Sequence, residues 1–458
     1  MNRPKRVVAA TAVALTFTTM TACSGQSATA RSGPATTVTA APSATPVVEI
    51  PDTPLGDALR WLLDASTRPP VAESELAERL APEFLAQVPA EAFNQTLAAF
   101  KDMRLQRLSV AHATALFARV EAGGKPYNLE LSVDGAGRIS GARLSEPPAP
   151  QPTPASWREL DQRLRKAAPE VAFVAAEVTG RTCRPAHGVA AGDRRPLGSM
   201  FKLYVLGTVA ERIRSGAFGW DTALTITPEL KSLPTGQLQD RPDGSKVTVL
   251  EAAKLMISIS DNTATDLLIH KVGKKAVERT MRAWTGENDR RNVPLLTTRE
   301  LFALKGADHP RLARRYLSMD DAKQRAYLAK VVAKVPLSDI KPWPAPRELD
   351  TIEWYASPDG ICRAYAELAK LGDERIAEVM SITDAGLGLD KGQWPSVWFK
   401  GGSEAGVLDM SFLARSADDR TFVVTVMSAD PAKPLDEGSL GQEFLALVRG
   451  AFALARNS

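Results

Sequence analysis

Arg195-Pro196-Leu197-Gly198-Ser199-Met200-Phe201-Lys202 is the stretch from which this chain is best read. A hydroxyl is a poor nucleophile at neutral pH and needs a base close by. On a helix, residues three apart share a face, so Ser199 and Lys202 can share a hydrogen bond. Partial burial favours the neutral form of a lysine, and a neutral amine can take the serine proton. Alone, a serine three residues ahead of a lysine is common on protein surfaces.

Two further stretches give it company. Ser260-Asp261-Asn262 lies 61 residues after Ser199 and follows the apolar run Leu250 to Ile259. Its hydroxyl can relay a proton to a leaving group, and its amide can position a substrate or the lysine. The same three residue types also suit a helix N-cap. Lys400-Gly401-Gly402 follows Val397-Trp398-Phe399, which reads as the start of a strand. A cation on a sheet edge can receive a substrate carboxylate, and glycines let a ligand approach the backbone. The plainer reading is a glycine-rich turn.

Working outward, residues 155–458 read as helices around a sheet. Trp157 to Ala168, Leu203 to Ile213, Leu250 to Ile259 and Leu440 to Ala455 are helical, and a helix opens at Ser357-Pro358. Val171 to Val178 suits a buried strand; Met410 to Arg415 and Phe422 to Met427 read as adjacent strands. The order predicts an α+β fold: a sheet flanked by helices, plus an all-helical subdomain.

Residues 52–146 read as a separate small α+β domain. Leu55, Leu59, Leu62 and Leu63 recur at helical spacing, and a second helix begins near Ser74. Ala113 to Ala122, Tyr127 to Val133 and Arg138 to Leu144 read as a meander broken by Gly-Gly and Asp-Gly turns. Nothing in this segment has a catalytic pattern. A Pro-rich linker, 147–154, joins the two.

The N-terminus predicts export. Arg3, Lys5 and Arg6 precede an apolar run, Val7 to Phe17, too short to span a bilayer stably. Met20-Thr21-Ala22-Cys23 then resembles a lipobox, so 1–23 is expected to be a signal peptide whose Cys23 is lipidated. Residues 24–51, rich in Ser, Thr, Ala and Pro, would form a tether. The expected location is the outer face of a bacterial membrane, held by that lipid.

Composition is that of an ordinary core-forming chain, 44 % apolar and 24 % charged. A net charge of +4 with no basic run gives no reason for a nucleic-acid partner. His112, His187, His270 and His309 show no zinc-ligand spacing, and no metal or cofactor is expected. Export permits a bridge between Cys183 and Cys362, but nothing in the sequence places them together.

Taken together, the three short stretches resemble the motif set of class A β-lactamases and penicillin-binding proteins. Ile257 to Leu268 is similar to that family's second-motif run, and Ser357-Pro358 to the helix after its Ω loop. The resemblance covers about residues 155–458. It implies an acyl-enzyme on Ser199, with Lys202 as base. Ser260 would relay the leaving-group proton. Lys400 would assist Ser260 and attract a carboxylate. Asn262, Gly402 and Ser403 would contact the substrate, and the backbone N–H groups of Ser199 and Ser403 would form the oxyanion hole.

Two departures qualify this. Gly401 stands where the family has Thr or Ser, so a carboxylate-binding hydroxyl is missing, with Ser403 the residue to substitute for it. The Ω-loop glutamate that activates water has no clean copy. Arg347-Glu348-Leu349-Asp350 resembles the tail of that loop, in a register that puts Pro346 at the glutamate position; Glu348 and Glu353 are the available stand-ins.

A narrower resemblance is to the two-domain cephalosporin esterases of clavulanic-acid clusters. Those proteins pair an NTF2/steroid-isomerase-like N-terminal domain with a β-lactamase fold. Trp61-Leu62-Leu63-Asp64, Arg68-Pro69-Pro70 and Leu295 to Glu300 carry it. The expected substrates are β-lactam or ester carbonyls. The alternatives are a D,D-peptidase acting on cell-wall peptides, or a binding protein on an inactive hydrolase fold.

Overall fold

The computed structural model describes residues 48, 50, 52–111, 115–147 and 151–457. The expected signal peptide, Cys23 and most of the tether lie outside the described residues.

Four helices open the first folded segment: Pro54–Ala65, Glu73–Arg79, Pro82–Gln87 and Ala90–Ala99. Thr53 caps the first by accepting from Gly56 N, and Pro54 stands at its first position, where a missing N–H costs nothing. Strands β1 (Arg104–Ala111), β2 (Ala115–Ala122), β3 (Lys125–Val133) and β4 (Ile139–Ser145) follow as an antiparallel meander in chain order. On β2, Leu116, Ala118, Val120 and Ala122 are buried against Leu59, Leu62 and Leu76, the period-two face that alternation requires. The meander thus has one more strand than the sequence reading assigned. Arg104-Leu105-Gln106-Arg107 alternates weakly and carries two arginines, which masked β1.

The second segment is built on a five-stranded antiparallel sheet, in the order β11-β12-β13-β5-β6. Its strands are β5 (Glu170–Thr179), β6 (Thr182–Val189), β11 (Ser396–Glu404), β12 (Val407–Arg415) and β13 (Thr421–Ala429). Two short pairs complete the strands: β7 (Arg195–Pro196) with β10 (Tyr355–Ala356), and β8 (Ala223–Thr225) with β9 (Lys246–Thr248). Helices Trp157–Ala167 and Glu437–Arg456 cover one face through Leu164, Phe444 and Phe452. Helices Lys202–Arg214 and Pro358–Lys370 lie in the core on the other, with Val423 and Met427. Both faces are covered, so β13 is buried almost throughout. Strand β11 is left as an edge beside the turn Gly198–Phe201.

Helices Val249–Ser258, Asn262–Val272, Lys274–Thr285 and Thr298–Gly306 form the helical part that carries the second motif. Thr297 and Glu300 close a full capping box on the last of these. Cys183 and Cys362 are bonded to each other, Cα to Cα 6.3 Å, tying β6 to helix Pro358–Lys370. Nothing in the sequence pointed to this pairing, because 179 residues separate the two and the sheet order brings them together. Among the described residues, no helix is long and apolar enough to cross a membrane.

Candidate active site

Ser199 sits in a single 3-10 turn, Gly198–Phe201, that leads directly into helix Lys202–Arg214. The turn stays tight because Gly198 has φ +46°, which disfavours a side chain. The chain then places Lys202 Nζ 3.1 Å from Ser199 Oγ. The same Nζ reaches Ser260 O at 2.6 Å, Ser260 Oγ at 3.0 Å and Asn262 Oδ1 at 2.7 Å. Two of these partners, a carbonyl and an amide oxygen, only accept. A neutral amine satisfies both with its two N–H bonds and keeps its lone pair for a hydroxyl proton.

That charge state agrees with the surroundings. Lys202 is fully buried, and burial holds its ammonium well below the usual lysine range; the neighbouring Lys400 adds to this, while Asp261 and Asp266 oppose it.

Ser260 has φ +59°, a strained conformation for a residue with a side chain. Its backbone is held by Thr235, whose hydroxyl donates to Ser260 O at 2.9 Å. Asp261 fixes the corner, accepting from the N–H groups of Gln237, Leu238 and Ala264. A Cβ on Gly236 would fall 2.4 Å from the Asp261 carboxyl, so that loop needs its glycine. The sequence offered Ser-Asp-Asn both as a helix cap and as a site motif, and it is both. Asp261 caps helix Asn262–Val272, while Ser260 and Asn262 turn toward Lys202.

Lys400 enters from β11, donating to Ser260 Oγ at 3.1 Å and to Gly401 O at 2.7 Å. Burial pushes its ammonium down to about 7. Gly402 is the point of closest approach: a Cβ there would lie 2.0 Å from Leu197 O and 2.9 Å from Ser199 N. A Cβ on Gly198 would lie 3.0 Å from Ser403 N. The backbone nitrogens of Ser199 and Ser403 are thereby brought together at one point.

Gly401 has its own reason. A Cβ there would meet the Phe399 ring at 2.9 Å and Asp409 O at 3.1 Å, so a threonine does not fit this packing. Ser403 lies on the same face of β11 as Gly401, two residues on, and its side chain bonds the Glu437 carboxyl.

Ser199, Asn262, Phe302, Glu353, Ser403 and Glu404 are among the walls of one cleft. Of the two stand-in glutamates, Glu353 reaches this cleft and Glu348 does not. Glu348, at φ +53°, accepts from Thr351 Oγ1 in its own turn. Glu353 is buried against Lys305 at 3.4 Å. Lys305 and Glu404 were not singled out from sequence. The available signal was Lys305 itself, four residues after the buried Leu301 on an apolar helix face. Among the described residues, no group of three or more His, Cys, Asp or Glu could hold a metal ion.

Residues 156–332 match the model of the beta-lactamase enzyme family, and residues 50–139 match the model described as the ORF 12 gene product N-terminal region. A comparison with curated proteins yields no match. Solved structures similar to this chain include PBP-A, 17% identical, covering 66% of this chain and 98% of that one, TM-score 0.43. A beta-lactamase from Sphaerobacter thermophilus DSM 20745 is 19% identical, covering 65% and 97%, TM-score 0.45. A beta-lactamase from Chitinophaga pinensis DSM 2588 is 15% identical, covering 66% and 98%, TM-score 0.43. The family match ends before Glu353, Lys400 and Glu404. It covers Ser199, Lys202, Ser260 and Asn262.

Proposed function

We propose that this protein is a serine acyl hydrolase that opens β-lactam or ester carbonyls through an acyl-enzyme on Ser199. The observation that carries this reading is the convergence of Lys202 Nζ, 3.1 Å from Ser199 Oγ, and Lys400 Nζ, 3.1 Å from Ser260 Oγ, on one hydroxyl network.

The chemistry follows from the geometry. Ser199 Oγ attacks the carbonyl carbon while its proton passes to neutral Lys202 Nζ. The oxyanion forms against the paired N–H groups of Ser199 and Ser403. As the intermediate collapses, the proton travels through Ser260 Oγ to the leaving nitrogen or oxygen. Lys400, when protonated, favours a substrate that carries a carboxylate. Because Gly401 supplies no hydroxyl there, that recognition rests on Lys400 and Ser403. An ester side chain, as on cephalosporins, is the finer assignment.

Brief exposure to benzylpenicillin and to a chromogenic cephalosporin, followed by intact mass measurement, tests this. The expected result is a covalent adduct, or turnover, in the wild type and neither in S199A. Equal behaviour of the two would end the assignment. Release of D-alanine from a cell-wall peptide would move the substrate assignment to D,D-peptidase.

The same reading extends to place and domain. Cleavage and lipidation at Cys23 would hold the enzyme at the outer membrane face; a C23A protein would then partition into the aqueous phase of a detergent extraction. The order of helices followed by a four-stranded meander supports a steroid-isomerase-like fold for residues 52–146.

A further inference from the structure

The two faces of β11 bring different groups to the cleft. By the period-two rule Lys400, Gly402 and Glu404 share one face, and Val397, Phe399, Gly401 and Ser403 share the other. Val397 and Phe399 belong to one apolar cluster with Leu440 and Phe444 of helix Glu437–Arg456. The first turns of that helix come over the end of the sheet. A Cβ on Gly441 would lie 3.5 Å from the Met410 methyl, and Met410 is the β12 partner of Gly401. Glu437 stands one turn ahead of Gly441 on the same side of the helix. There its carboxyl accepts from the Ser403 hydroxyl.

This contact puts a carboxylate close to the reacting carbonyl. Ser403 lines the cleft together with Ser199, and its N–H is half of the donor pair that receives the carbonyl oxygen. Glu437 is one hydrogen bond away from that same residue, and it is exposed, so a ligand can meet it. Among the described residues no cation is paired with it; the Ser403 hydroxyl is the group that holds it. A hydroxyl has one proton to donate. With that proton given to Glu437, Ser403 has none for a carboxylate on the substrate, and Gly401 has no hydroxyl at all. Lys400 is on the opposite face, donating to Ser260 Oγ, and burial pushes it down to about 7.

We propose that Glu437 sets the choice of substrate: the cleft takes carbonyl compounds that are uncharged beside the scissile bond in preference to those that carry a free carboxylate there. The proposal rests on the acyl-enzyme reading above and narrows its substrate class. A carboxylate on the substrate meets a like charge at Glu437, in a cleft where repulsion is felt more strongly than in open water. It also finds no hydroxyl donor at Gly401 or Ser403. An ester of the same acid carries no charge and escapes the repulsion. The discrimination comes from an element that works against the wrong ligand.

Benzylpenicillin and its methyl ester differ in this one charge and serve as the probes. Wild type and E437Q are given each at pH 8, and acylation of Ser199 is followed as adduct mass or turnover. Burial raises the Glu437 carboxyl above its ordinary value, and the Ser403 bond opposes this; pH 8 keeps it ionised and leaves Lys400 mostly neutral. Wild type is expected to take the ester at least about 10-fold faster than the acid, and E437Q is expected to lower that ratio by about 10-fold. Salt at about 0.5 M should narrow the wild-type ratio and leave the E437Q ratio in place, because it screens the repulsion. A wild type that prefers the acid overturns the proposal, and so does a ratio unchanged in E437Q. A wild-type ratio indifferent to salt overturns it without any variant. Absence of reaction with both probes in both proteins removes the acyl-enzyme reading itself, whereas the ratios on a reactive Ser199 touch only the choice of substrate.

Discussion

Two buried clusters meet at one cleft, and they solve the same electrostatic problem with opposite signs. Around Ser260, two ammonium groups come together, Lys202 and Lys400, with Asp261 and Asp266 at one remove. Around Lys305, two carboxyls share one ammonium. Burial disfavours net charge in both places. The first cluster sheds it by lowering its lysines; the second, by raising a glutamate. Lys400 is pushed down to about 7 and Glu404 up to about 8, so each cluster holds a group poised to change protonation near neutrality. That property, rather than the presence of charge, equips a site for proton transfer.

The comparison breaks most visibly at Lys202. If its neutral amine is the base for Ser199, K202A should acylate about 10²- to 10⁴-fold more slowly than wild type, read from the rate of adduct formation. Wild-type acylation in K202A would mean that the first cluster is structural.

The next largest effect contrasts the lysines in their structural roles. Lys305 is held above the usual range: burial opposes this, but the Glu404 and Glu353 carboxylates prevail. Removing it strands two carboxyls, so K305M should lower stability by about 3–5 kcal/mol. Lys202 has no directly bonded carboxylate among its four partners; K202M strands only neutral acceptors such as Asn262 Oδ1 and should cost less, about 1–3 kcal/mol. Urea midpoints at pH 7 measure both, and equal shifts of the same sign would erase the distinction between the clusters.

The first cluster was legible in the sequence and the second was not, for a physical reason. Ser199 and Lys202 are three apart on one turn, and Ser260 and Asn262 two apart at a helix cap, so local spacing carries their geometry. Gly401 and Gly402 announced a close approach, which the Leu197 backbone makes. The five-stranded sheet was half legible, since β5, β12 and β13 are apolar runs. By contrast, 99 residues separate Lys305 from Glu404 and 48 separate Lys305 from Glu353. Each is a lone residue whose partners are chosen by the sheet edge and the helix packed beside it. Cys183 and Cys362 belong to the same class. Replacing both with serine should cost about 2–5 kcal/mol while leaving adduct formation on Ser199 in place, because the bridge ties β6 rather than β11. Loss of the adduct in a folded double variant would show that the bridge positions the cleft.

The smallest effect, and the sharpest on sign, is the pH dependence of stability. Lys400 falls from 10.5 in the unfolded chain to about 7 when folded. Between those values the unfolded chain binds one more proton, so this residue makes stability rise with pH. Glu404 rises from 4.5 to about 8. Between those values the folded chain binds one more proton, so this residue makes stability fall with pH. Measured against wild type, K400M should be most favoured below pH 7, and its advantage should shrink as pH climbs toward 10. E404Q should gain its advantage as pH climbs from 5 to 8. Urea midpoints for the three proteins from pH 5 to 10 give two difference curves of opposite slope. Parallel curves would mean that neither group is driven off its ordinary value by burial, and the opposition between the two clusters would dissolve.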